Sequence, residues 1–154
     1  MEGPIKKRPT DFLTNIRRII KLHESMLKGI CETYRLSLIE ATIISFLYNN
    51  PGKDTAADIV ELRMLSKGNV SQAVESLMQK SLLQRRQDTE DRRKIHLSLT
   101  QAAQPITASL KELFQQFHEE LFFGLSKEEL ELFDRVNEQI IVNTQNAIAR
   151  REKQ

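Results

Sequence analysis

The sequence predicts a mainly α fold with a small β-hairpin, and two observations carry that prediction. Apolar residues recur at three-and-four spacing along most of the 154 residues, which is the period of an amphipathic helix. One stretch breaks the period. Ile95, Leu97 and Leu99 alternate strictly with Lys94, His96 and Ser98, as in a half-buried strand. Leu82-Leu83-Gln84-Arg85-Arg86 reads as its partner, joined to it by a tight, charged turn that carries Arg92, Arg93 and Lys94 outward. An apolar content of 40% is enough for one genuine core.

The elements follow in order. Phe12, Ile16, Ile19, Met26, Leu27, Ile30 and Tyr34 describe one long helix from about Thr10 to Tyr34. Ser37 with Glu40 three residues later is a capping-box pattern, and the helix it opens carries Ala41, Ile44, Leu47 and Tyr48 on one stripe. Asn49-Asn50-Pro51-Gly52 ends it. Thr55 with Asp58 caps a brief third helix, Ala56 to about Met64. Ser66 caps a fourth, reaching about Lys80, whose buried stripe is Val70, Ala73, Val74 and Leu77. After the hairpin, Thr100 starts a helix running to Phe123, with Gly124 as its stop. Ser126 with Glu129 caps the last helix. The first nine residues and roughly the last four read as disordered.

The net charge of +2 hides a segregation. Residues 1–21 are net +4, residues 62–96 are again net +4, and residues 100–149 are net −5. One face is thereby suited to a polyanion and another is not. The single cysteine, Cys31, excludes an intrachain disulfide and fits a reducing compartment. Its position beside Ile30 reads as a small buried apolar residue rather than a redox sensor. No apolar run approaches the roughly 20 residues that span a bilayer, and the basic N-terminus lacks the apolar stretch of a secretory signal. A soluble, cytoplasmic protein without membrane contact is expected. His23, His96 and His118 have no metal-ligand spacing and adjoin no nucleophile, and the glycines form no phosphate-binding loop. No enzyme, metal or cofactor is predicted.

Two short helices followed by a basic hairpin form a winged helix-turn-helix, and that ordering points to duplex DNA. A helix fits the major groove with its first turns nearest the base edges. Those turns offer Ser66, Lys67, Gly68, Asn69, Ser71 and Gln72. Asn and Gln bond bidentately to adenine, Ser suits either base type, and Lys suits guanine or phosphate. Gly68 lets backbone come close. Arg63, Lys67, Arg85, Arg86 and Lys94 are candidates to neutralise phosphates, and Arg92 and Arg93 to enter a minor groove, whose potential favours inserted arginine. Asp88 and Asp91 are expected to support the wing by holding one arginine in a bidentate pair.

Residues 36–124 resemble the multiple antibiotic resistance regulator (MarR) family. The resemblance is carried by Asn69-Val70-Ser71 through Leu77-Met78-Gln79-Lys80-Ser81-Leu82-Leu83, then Asp88-Thr89-Glu90-Asp91-Arg92-Arg93-Lys94, closing at Leu99-Thr100. It implies a homodimer built from the terminal helices (10–35 and 101–150) around a winged helix-turn-helix (36–100), all in one compact domain behind a basic arm (1–9). Two wings would straddle a pseudo-palindromic operator. The resemblance further implies a repressor released by a small-molecule effector, in a pocket that Ile16, His23, Ile44, Phe114 and Phe117 would line if they are not plain core. Ser81 stands where the family usually has glycine, and Ala103 replaces another. Cys31 lies near the end of the first helix, so the family's peroxide-sensing cysteine near its start does not transfer. The alternative is a winged-helix protein-interaction adaptor without DNA binding, which would show a neutral wing and an apolar fourth helix.

Overall fold

A computed structural model describes residues 9–153. The order is α1 (Pro9–Tyr34), α2 (Leu38–Asn49), α3 (Ala56–Arg63), α4 (Lys67–Gln79), β1 (Leu83–Gln87), β2 (Ile95–Leu99), a 3-10 turn (Gln101–Ala103), α5 (Gln104–Leu121) and α6 (Lys127–Glu152). Residues 1–8 of the expected basic arm lie outside the described residues, and Pro9 already belongs to α1. At the other end, helix replaces the expected disorder through Glu152, with Arg151 bonding back to the Ala147 carbonyl. The chain forms two compact units, one ending at Phe117 and one beginning at His118.

The capping serines and threonines act as read. Ser37, Thr55 and Ser126 each accept from the backbone amide three residues on, and Glu40, Asp58 and Glu129 return the bond. Ser66 accepts from the Asn69 amide and fixes the start of α4. Thr100, by contrast, caps nothing with its side chain. Its hydroxyl donates to the Ser81 carbonyl, and the chain makes a 3-10 turn before α5. Pro105 then sits in the first turn of α5, where a missing N–H costs nothing.

The core of the first unit centres on α2. Ala41, Ile43 and Ile44 are fully buried, and Phe46 nearly so. This exceeds the single predicted stripe because α2 is packed by α1, α4 and β2 at once. Tyr48, placed on that stripe, is exposed. Leu27, Ile59, Val70, Leu77, Leu83, Leu97, Ile106 and Leu110 are among the other residues of this core. Burying a side chain of this size is worth about 1.5–3 kcal/mol, so these positions dominate the unit's stability.

Three helices end on non-glycine residues in the left-handed region: Arg35 (φ 55), Met64 (φ 54) and Ser81 (φ 62). At Ser81 the Leu82 amide donates to Leu77 O and the Ser81 amide to Met78 O, which is a Schellman closure. This explains why a glycine is usual there. The left-handed turn aims the chain from α4 directly into β1.

The second unit holds the end of α5, the turn at Gly124 (φ 84) and α6. Phe122 stacks at a tilt on His118 (4.8 Å) and Phe133 (5.3 Å). None of the residues of α6 is buried, although Phe133, Val136, Ile140, Ile141 and Ile148 lie along it.

Candidate nucleic-acid interface

The exposed face of α4 is polar throughout. Lys67, Gly68, Asn69, Ser71, Gln72 and Glu75 are exposed, as is the cap Ser66, while Val70, Ala73, Val74 and Leu77 face the core. The helix period sets this division, and α2 and α3 hold the buried side in place. Gly68 has open space around its Cα, with nothing within 4 Å of an added Cβ.

β1 and β2 pair antiparallel in register, Leu83 opposite Leu99, Arg85 opposite Leu97, and Gln87 opposite Ile95. Only Leu97 of the alternating set is well buried, whereas Ile95 is 38% exposed, because the distal hairpin projects beyond the core. The connection is longer than a tight turn. It spans residues 88–94 and closes through Asp88 N to Lys94 O and Lys94 N to Asp91 O, both 3.0 Å. The Gln87 amide side chain adds a bond to Arg92 O at 3.0 Å.

Asp88 does not hold an arginine. Its Oδ2 accepts from the Glu90 and Asp91 amides at 2.9 and 2.8 Å, and its Oδ1 lies 2.7 Å from His96 Nε2. The turn itself occupies one oxygen, and the strand register brings His96 rather than an arginine to the other. Asp91 does reach Arg93, through the Arg93 amide (3.0 Å) and Nε (3.3 Å). That is a single side-chain bond and not the expected bidentate pair, since Asp91 sits only two residues away and cannot meet the guanidinium edge squarely. Arg93 remains 92% exposed. Among the described residues, Lys67, Arg86, Arg92 and Lys94 make no ion pair, and all four are exposed.

Arg85 bonds Glu75 on α4. Lys80, counted with the basic segment, turns the other way and donates to Glu40 (3.0 Å) and to the Arg35 carbonyl (2.8 Å). It belongs to the α2–α4 junction, where the buried Glu40 also accepts from Ser76 at 2.7 Å.

Sequence reasoning missed His96. Its Nδ1 lies 2.7 Å from Asp54 Oδ1 and its Nε2 2.7 Å from Asp88 Oδ1. Asp54 precedes α3 and is 42 residues away, so no local pattern discloses the contact. Hydrogen bonds that the ring donates to Asp54 and then to Asp88 raise its pKa, and the bond to His96 holds the Asp88 carboxyl far below the usual carboxylate range.

A cavity of about 550 Å³ lies between α1, α2 and α5 within the first unit, lined by Ile20, His23, Phe46, Arg63, Phe114 and Phe117 among others. Three of the five predicted pocket residues line it. Ile44 does not, being fully buried in the core, and neither does Ile16, which is exposed one turn short of the cavity on α1. The His23 ring packs against Phe114 (5.5 Å) and Phe117 (5.1 Å). Burial, and then the Arg63 charge, lowers its pKa, so the ring is neutral near pH 7. Cys31 is partly rather than fully buried, its thiol directed at the Ser37 carbonyl (3.7 Å), and burial pushes its pKa up. No helix among the described residues is long and apolar enough to cross a membrane.

Comparison with known proteins agrees with this geometry. Residues 36–94 match the MarR family model. An uncharacterised HTH-type transcriptional regulator of Bacillus subtilis (strain 168), YwaE, is 30% identical over 120 residues, covering 75% of this chain and 68% of YwaE. Among solved structures, the S. aureus MepR–DNA complex superposes with a TM-score of 0.69 at 20% identity, over 89% of this chain and 99% of MepR. Bordetella bronchiseptica BpsR, whose DNA binding is regulated by 6-hydroxynicotinic acid, gives 0.64 at 19% identity, over 84% and 98%. At these identities the two structures speak for the fold. The matched segment holds α2, α3, α4, β1 and the wing connection, and the chain belongs to the MarR family of transcriptional regulators.

Proposed function

We propose that this chain is a homodimeric, sequence-specific DNA-binding repressor. α4 would lie in the major groove and the wing in the adjacent minor groove of a pseudo-palindromic operator. One observation carries the reading: Lys67, Asn69, Ser71 and Gln72 on α4 and Arg92 and Arg93 in the hairpin connection are all exposed, with none of them in the core. Arg86 and Lys94 add phosphate contacts. An adaptor would show a neutral wing, and this wing is basic.

Dimerisation is supported by unpartnered apolar surface. On α1, Phe12, Leu13 and Ile20 are at least half exposed, and on α6 Leu132, Phe133, Val136, Ile141 and Ile148 are all above 40%. Surface of that extent on single helices is typical of an interface. The cavity supports an effector. Its volume falls in the usual range for small-molecule sites, roughly 300–1,000 Å³. Its aromatic walls and Arg63 suit a small aromatic acid, in line with the compound that regulates BpsR.

The test is fluorescence-anisotropy binding to a duplex selected from a random pool, for the wild type and for Arg92→Ala with Arg93→Ala. The double variant is expected to lose about 2–4 kcal/mol of binding free energy, the scale of charge-assisted contacts. Unchanged affinity removes the wing from the mechanism.

A further inference from the structure

We propose that His96 is a positioning residue whose charged ring pins the wing to the link between α2 and α3, so that affinity for duplex DNA falls when the ring loses its proton. The inference rests on the DNA-binding reading above.

The geometry demands two donors. Both ring nitrogens face carboxylate oxygens at 2.7 Å, Asp54 on one side and Asp88 on the other. An imidazolium has two N–H groups and serves both, whereas a neutral imidazole has one and must turn a lone pair toward the second carboxylate. Neither carboxylate is free to swing away. Asp88 Oδ2 holds the Glu90 and Asp91 amides, so moving Asp88 undoes the wing turn. Asp54 is anchored by its own carbonyl, which accepts from the Leu97 amide at 2.8 Å, one residue beyond His96. The ring is only 21% exposed, so water does not readily replace a lost bond.

Other charges around the ring leave this logic intact. Arg86 is directly opposite on β1 and opposes protonation more weakly than the two aspartates favour it. Lys53 and Lys94 flank the site in sequence. On α3, Asp58 is occupied by the Thr55 amide, and on α2, Glu40 is occupied by Ser37, Ser76 and Lys80. A ring whose folded-state pKa is raised stabilises the tie fully below its ordinary value of 6.5, and the tie is lost as pH rises through the raised value. On the acid side, Asp88 stays ionised well below its ordinary 3.8. The wing is therefore held below pH 6.5 and released as pH rises through the ring's raised pKa. Release moves Arg92 and Arg93 out of register with α4 without touching either residue.

The experiment pairs two readouts on the full chain. The His96 ring is titrated by NMR in the wild type and in Asp54→Asn. Affinity for a duplex selected from a random pool is measured by anisotropy at constant ionic strength from pH 6 to pH 9, for these two proteins and His96→Gln. The wild-type ring is expected to titrate above 6.5 and Asp54→Asn to lower it, since an Asn amide can satisfy a neutral ring. Wild-type affinity is expected to fall several-fold across the ring's titration, with His96→Gln and Asp54→Asn nearly flat. A ring titrating at or below 6.5 overturns the proposal, as do parallel pH profiles for the wild type and Asp54→Asn, even if His96→Gln fails to fold. A wild type that binds no duplex at any pH refutes the DNA-binding reading and the coupling with it, and the ring titration still reports on the clamp.

Discussion

One guanidinium nitrogen of Arg85 lies 2.9 Å and 3.3 Å from the two carboxylate oxygens of Glu75, tying the first wing strand to the exposed face of α4. Glu75 follows Gln72 by three residues on that face, which places a negative charge where phosphates would approach. Glu75→Gln is expected to free Arg85 and raise DNA affinity several-fold, with the log–log salt slope steeper by about 1. Folding stability should change by less than about 1 kcal/mol, because both partners are more than half exposed. Anisotropy at several salt concentrations and urea unfolding check the two halves.

Gly68 separates stability from function. Nothing obstructs a Cβ there, so Gly68→Ala should stabilise α4 by about 0.5–1 kcal/mol through helix propensity. If the glycine serves close approach of backbone to DNA, the same variant binds more weakly. Urea midpoints and binding constants measured on one preparation should move in opposite directions.

Ser81 adopts φ 62 at the Schellman end of α4, a conformation that strains a side chain and suits glycine. Its carbonyl, which accepts from Thr100, is kept by any substitution. Ser81→Gly should therefore stabilise the fold, by up to about 1 kcal/mol after the added freedom of the unfolded chain is subtracted. A urea midpoint at or below the wild type's contradicts this.

Glu40 makes stability depend on acid. Burial pushes its carboxyl up, but the Ser37 amide, the Ser76 hydroxyl and Lys80 together hold it below its ordinary 4.5. A depressed carboxylate stabilises the fold above that value, and the contribution fades as pH falls through the folded-state pKa. Glu40→Gln should cost about 2 kcal/mol at pH 7, the scale of hydrogen bonds to a buried charge. It should also flatten the loss of stability between pH 5 and pH 3, measured by thermal melts.

The helices, the hairpin and the exposed polar face of α4 were legible because each rests on local pattern. Capping pairs three residues apart set the starts of α2, α3 and α6, and alternation located β2. What escaped depends on distance along the chain. Asp54 meets His96 across 42 residues, Glu40 meets Lys80 across 40, and Glu75 meets Arg85 across ten. Each pair ties a charged residue to a neighbouring element, a contact that charge counting along the sequence cannot disclose. Ile44 shows the same limit for apolar residues: its type fits a pocket wall or a core equally, and only the packing of α2 on three sides decides.

The most direct test of the account is anisotropy binding of the full chain to a pool-selected duplex and to a scrambled one, each across a series of salt concentrations. The account predicts two chains per site, a preference for the selected duplex of about 10³ or more, and affinity that falls linearly in log–log salt plots as counterions are released. Equal affinity for both duplexes, or no binding to either at low salt, would contradict sequence-specific recognition by α4 and the wing.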